Sequence, residues 1–144
     1  MAISQAMCTS FKVQLLSGAQ NFNTGTTKVY KIALYTSAAT LSAATASYSA
    51  TTNEVAAGGG YTTGGQVLTV TQIPTSTGTT AFIDFADVTW TSATITARGA
   101  LIYNSTDNTS VAVLDFGSDK TSTNGDFTII FPAADSTNAI LRIA

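Results

Sequence analysis

The sequence predicts an all-β domain, an antiparallel β-sandwich of jelly-roll character with about eight strands. Three observations carry this reading. Apolar and polar residues alternate along much of the chain, and no long segment shows the 3.6-residue period of a helix. Ser and Thr together exceed a quarter of the 144 residues, while charged residues make up only 10%. Thr suits a pleated surface, because its branched Cβ fits a strand and its hydroxyl still meets water. Clusters of Gly, Asn, Ser and Pro recur at short intervals and mark turns between the alternating runs. Positive mean hydropathy, a net charge of −2 and many β-branched and aromatic residues set the chain apart from disordered Ser/Thr-rich sequences.

The elements follow in order. Residues 1–10 lack periodicity and are expected as an N-terminal segment, either an extended arm gripping a neighbouring subunit or the shell, or a disordered terminus, ahead of a single sandwich domain over 11–144. In that domain Phe11, Val13 and Leu15 alternate with their neighbours, which predicts a first strand. "KVYKIALYT" at 28–36 places Tyr30, Ile32 and Leu34 on one face. Residues 37–65 form the longest aperiodic stretch; its Ala content allows a short helix over Leu41 to Tyr48, and its triple glycine at 58–60 supplies backbone freedom. "QVLTVTQI" at 66–73 reads as a strand closed by Pro74. In "AFIDFADVTW", Ile83 and Phe85 are out of phase with Val88 and Trp90, which predicts a bulge or corner at Ala86–Asp87. "ATITARGALIYN" at 93–104, "VAVLDF" at 111–116, "FTIIF" at 127–131 and the closing "AILRIA" complete the strands, with "GSDKTSTNGD" as a turn region.

Missing residue types exclude several functions. Without histidine there is no Ser-His-Asp or Cys-His arrangement and no ordinary zinc site. Cys8 is alone, so it forms no intrachain disulfide, and it is read as a small residue in the N-terminal segment. Carboxylates remain as the only catalysts, and Asp84 and Asp87 are read as a solvated turn edge before a glycosidase pair. Asp115, Asp119, Asn124 and Asp126 are read as turn formers before a Ca²⁺ loop, since their spacing does not match an EF-hand. The expectation is therefore no enzyme and no cofactor. Six dispersed cations and a pI near 4.6 argue against nucleic acid. No apolar run approaches the roughly 20 residues of a membrane helix, so no membrane partner is expected. The first residues show no basic, apolar leader, and none is expected. "NST" at 104–106 and "NTS" at 108–110 fit the glycosylation pattern and are read as coincidence in a Thr-rich loop.

The blocks "YKIALYTSAATL", "TNEV", "YTTGGQ" and "ARGALIYN", in that order and within residues 28–104, carry a resemblance. In them the chain resembles a family of small tailed-phage virion proteins, described as head decoration or cement proteins and at times as tail or fibre proteins. The resemblance implies a β-sandwich assembling as a homotrimer on the outer surface of an icosahedral capsid, against the major capsid protein. Its location would then be the virion, after synthesis in the bacterial host cytoplasm. It brings no catalytic or binding residues with it. Low charge fits such a role, because unpaired charges are costly to bury at contacts. The alternative is a receptor- or glycan-binding module of a tail or head fibre, with Tyr48, Tyr61 or Trp90 exposed to stack on sugars.

Arg98, within "TARGAL", is the only cationic residue between Lys31 and Lys120. It either points to solvent beside a bulge at Gly99, or pairs with a carboxylate within the chain or across a subunit interface. Asp84, Asp87 and Glu54 are the candidate partners.

Overall fold

The computed structural model describes residues 2–144. Its strands form two antiparallel sheets. In the larger, β1 (Ala6–Met7), β7 (Thr109–Ile129), β6 (Val88–Asn104), β2 (Tyr30–Tyr35) and β3 (Gln66–Val67) lie side by side in that order. In the smaller, β5 (Thr80–Phe85) lies between β4 (Val70–Thr77) and β8 (Leu141–Ile143). A single helix, α1 (Thr9–Ser17), precedes β2. The all-β antiparallel expectation is met. The sheets divide five and three, and β4–β5 and β6–β7 are hairpins interrupted by register shifts.

β2 explains the layering. Tyr30, Ile32, Ala33, Leu34 and Tyr35 are all 2% exposed or less, so both faces of this strand are covered. The Tyr30 face meets the smaller sheet through aromatic contacts. Tyr30 stacks on Phe22 at 4.3 Å between centroids and lies 6.5 Å from Phe85 of β5. The opposite face, carrying Ala33 and Tyr35, lies beneath residues 37–65. Val55 N–H donates to the Leu34 carbonyl at 2.8 Å, and Tyr35 O–H donates to the Ser49 carbonyl at 2.9 Å.

The chain changes sheets at two corners that hold each other. Residues 68–69 lead from β3 to β4, and Ala86–Asp87 lead from β5 to β6. Ala86 N–H donates to the Thr69 carbonyl at 2.8 Å. The phase change read at Ala86–Asp87 is therefore a true corner. Asp87 fixes it further by accepting the Phe131 N–H at 2.8 Å.

Four expectations are corrected. The first strand over Phe11 to Leu15 is helix α1, because Phe11 and Leu15 share one helical face as readily as one strand face. Gly18, at φ 75°, closes the helix with its N–H on the Leu15 carbonyl at 3.3 Å. Leu41 to Tyr48 holds turns and no helix, since the side chains of Ser42 and Thr45 take nearby backbone N–H groups. β4 runs through Pro74, which is tolerated because β4 is an edge strand and its register slips between Gln72 and Thr75. The region 117–126, expected as a turn, belongs to the continuous strand β7. Its turn residues serve bulges instead. Asn124, at φ 48°, and Ser92 on β6, also at φ 48°, sit at two register shifts of the hairpin.

Residues 2–10, expected as an arm or a disordered terminus, are held by their own chain. β1 pairs with β7, Ser4 N–H donates to the Leu41 carbonyl at 2.9 Å, and Ile3 is 7% exposed. Gly99 receives Ile3. A Cβ there would stand 2.6 Å from the Leu114 carbonyl oxygen and 2.9 Å from Ile3 Cγ2. The glycine of "TARGAL" thus makes room for the N-terminal segment. Asn104 of the "NST" pattern is fully buried, and its side-chain amide donates to Gln20 and Asp107.

Gly99→Ala is expected to lower folding stability by about 1–3 kcal/mol through overpacking, measured by urea denaturation. A variant as stable as the parent would show that Ile3 does not seat against this glycine.

Candidate functional site

Two regions concentrate side-chain chemistry. The first lies under the 37–65 loop around Glu54, the only glutamate in the chain. Glu54 sits where the loop returns to the sheet, opposite Tyr35 in an isolated antiparallel bridge. Its Oε1 accepts the Tyr61 O–H and the Gly64 N–H, both at 2.7 Å, and its Oε2 accepts the Tyr48 O–H at 2.7 Å. The Tyr61 oxygen also accepts the Leu34 N–H of β2 at 2.9 Å. Tyr48 stacks on Tyr103 at 4.4 Å, and Tyr103 O–H donates to the Gly64 carbonyl at 2.8 Å. Next in sequence, Gly65 lies so close to β2 that a Cβ would stand 1.7 Å from the Ile32 carbonyl oxygen. One carboxylate thus joins the loop to three donors.

Burial governs the electrostatics here. It pushes Tyr103 up to about 12, with the Glu54 charge adding to the effect. Tyr30, in the sandwich core, is also pushed up to about 12, first by burial and then by Asp107 against an opposing hydrogen bond at Asn21. Tyr35, Tyr48 and Tyr61 are raised further, each first by burial and then by contact with Glu54. These hydroxyls are hydrogen-bond donors locked in the neutral form, and Glu54 is fully engaged in holding them. The arrangement fastens a loop.

The other candidates are dispersed. Arg98 pairs with Asp115 of β7, and not with Asp84, Asp87 or Glu54. Asp115 also accepts the Gly117 N–H at 2.8 Å, where residues 116–119 bulge opposite Arg98 alone. The Gly117 contact and then Arg98 hold the Asp115 carboxyl below its ordinary range. Arg98 therefore steadies a wide bulge within its own hairpin. Asp84 lies on β5, where Oδ1 has no hydrogen-bond partner. Burial raises its pKa, the Phe85 N–H opposes this, and the Asp87 charge adds to it. Asp126 accepts the Ser92 N–H at 3.3 Å. Cys8 is buried at the start of α1, and desolvation pushes its thiol up to about 11 against the pull of Lys12. Of the three aromatics that the glycan-binding alternative would expose, Tyr48 is half-buried, and Trp90 and Tyr61 are 2% and 3% exposed. Tyr61 was bound to be drawn inward, since its hydroxyl links Glu54 to β2.

The second region lies between α1 and β8 and is apolar. α1 buries Phe11, yet Val13 is 61% and Leu16 93% exposed. Beside them Met7, Leu15 and Ile143 line a depression of about 360 Å³. The sequence reading missed this face because it laid 11–16 on a strand. The signal was present in adjacent Leu15 and Leu16, which point to opposite faces of a strand and so break its alternation.

Glu54→Gln should cost about 1.5–3 kcal/mol in urea denaturation, because one of the two acceptor oxygens becomes an NH₂ that cannot accept and the oxygen retained is uncharged. No loss would mean the loop closes without Glu54. The raised tyrosines fix a sign: their contribution is complete below the unfolded pKa near 10 and falls as pH rises toward about 12. Stability should drop across that window, with phenolate absorbance appearing only as the fold is lost. For Arg98→Ala the converse holds. Asp115 is depressed, so the pair stabilises above about pH 4 and is lost below it. The stability gap between parent and Arg98→Ala should close as pH falls through that range, with oligomeric mass unchanged.

Comparison with protein-family models, with curated proteins and with solved structures found no match to this chain.

Proposed function

We propose that the protein is a structural assembly module: a capsid decoration protein that binds the outer surface of a phage shell as a homotrimer and reinforces it. The observation that carries this reading is the outer face of α1. A helix apolar on both sides is ordinarily buried on both sides. Phe11 already meets the core, so the exposed Leu16, with Ile143 and the depression they both line, forms a surface that a partner completes, and Val13 is exposed on the same helix. The carboxylates support the same reading. Glu54, Asp87, Asp107, Asp115 and Asp135 each hold backbone or side-chain groups of their own chain. The resemblance in residues 28–104 supplies the virion as the setting. The glycan-binding alternative loses support from the burial of Tyr61 and Trp90.

The test is binding of the purified protein to shells lacking decoration. Leu16→Asp should leave the isolated chain within about 0.5 kcal/mol of the parent, since this side chain is almost wholly in solvent. It should weaken shell binding or self-association about tenfold or more, as expected for an apolar anchor at an interface centre. A parent protein that neither self-associates nor binds shells would contradict the reading, and so would a Leu16→Asp variant that does both as well as the parent.

A further inference from the structure

The free edge of the smaller sheet has a chemistry of its own. β8 is bonded on one side only, to β5, and its residues Arg142 and Ile143 are exposed. Lys12 and Arg142 flank the depression whose floor is Met7, Leu15 and Ile143. A deeper cavity of about 120 Å³ adjoins it, sharing Met7, Leu15 and Ile143 as walls and reaching Phe11 and Phe82. In this acidic chain the cations are few. Lys28 and Arg98 form ion pairs with Asp107 and Asp115, whereas among the described residues Lys12, Lys31, Lys120 and Arg142 form none. Arg142 donates to the Ser136 carbonyl at 3.4 Å and lies near Asp135, whose carboxylate is taken mainly by Asn138 and Thr137 with the Arg142 charge adding to their effect. Lys12 and Arg142 therefore stand as two exposed cations without an ion pair at an apolar groove beside the edge strand β8.

A second copy is a poor occupant of this edge. Two β8 strands paired about a two-fold axis at Arg142 would set this residue against its own counterpart, and directly opposed like charges destabilise a strand pair; the three-fold contacts of a homotrimer contain no such two-fold pairing of β8 with itself. The complement is an acidic partner. We infer that β8 and its groove take an extended segment of another protein, acidic and apolar by turns, added beside β8 as a further strand. Its main chain pairs with β8, its apolar side chains enter the groove, and its carboxylates meet Lys12 and Arg142. On the decoration reading, on which this identification rests, the segment belongs to the shell protein.

The experiment is selection of a random decapeptide display library on the purified full chain. Enriched peptides should alternate apolar residues with Asp or Glu. A synthetic copy should lose affinity about tenfold or more for Lys12→Glu/Arg142→Glu and weaken with added salt. Both side chains are exposed, so the melting temperature of the double variant should match the parent's. Neutral or basic winners, equal binding by the double variant, or no enrichment over bare support would overturn the inference. Oleate bound in the groove of a protein that selects no peptide would reassign it to an anionic amphiphile. Acidic winners from a protein that does not bind shells would keep this edge and remove the decoration role. Shell occupancy unchanged in the double variant would keep the role and remove the edge.

Discussion

Glu54 receives donors from three places in the 37–65 stretch, and that convergence is what allows the larger sheet to have two buried faces. β2 and the adjoining parts of β6 carry apolar residues on both sides, so one sheet partner cannot satisfy them. The smaller sheet covers one side through Phe22, Phe85 and their neighbours. The other side depends on a long segment without regular structure, whose backbone groups need partners at every step. Glu54 supplies a fixed point, because a carboxylate accepting three hydrogen bonds holds Tyr48, Tyr61 and Gly64 to β2 and to one another. With that cover in place, the N-terminal segment can lay Ile3 between Leu41 and Gly99.

This economy has a consequence for the surface. The chain has few charges, and most of the carboxylates are turned to internal tasks: a loop anchor, a corner, a bulge and a hairpin turn. Among what remains outside are the threonine-rich parts of the β6–β7 hairpin and the exposed Val13 and Leu16 of α1. A surface with few charges carries a low desolvation cost on contact. On the proposed reading, that low cost suits repeated association on a lattice, where many weak contacts add.

The fold was legible where local pattern and tertiary demand agree. β2 and the Ala86–Asp87 corner could be read because their side-chain phase is set by the two covered faces. Helix α1 was not, since Phe11 and Leu15 fit a strand and a helix alike, and only Gly18 marks the helical ending. β7 was divided because Asp115, Gly117 and Asn124 have the chemistry of turns, and bulges within a strand use the same residues. Glu54 could be singled out as the lone glutamate, but its tyrosine partners are placed by the loop path, which no periodicity records. The Arg98 partner was missed for the same reason as β7. Once 111–129 is one strand, Asp115 falls opposite Gly99, directly beside the arginine.

On the proposed reading this protein acts by being incorporated in a regular assembly, and copy number in purified virions measures that directly. Quantitative mass spectrometry against the major shell protein should give a ratio of order one, as a lattice-wide decoration protein requires. A handful of copies per particle would contradict the lattice role and place the chain at a fibre or a vertex. Its absence from virions would contradict the account altogether.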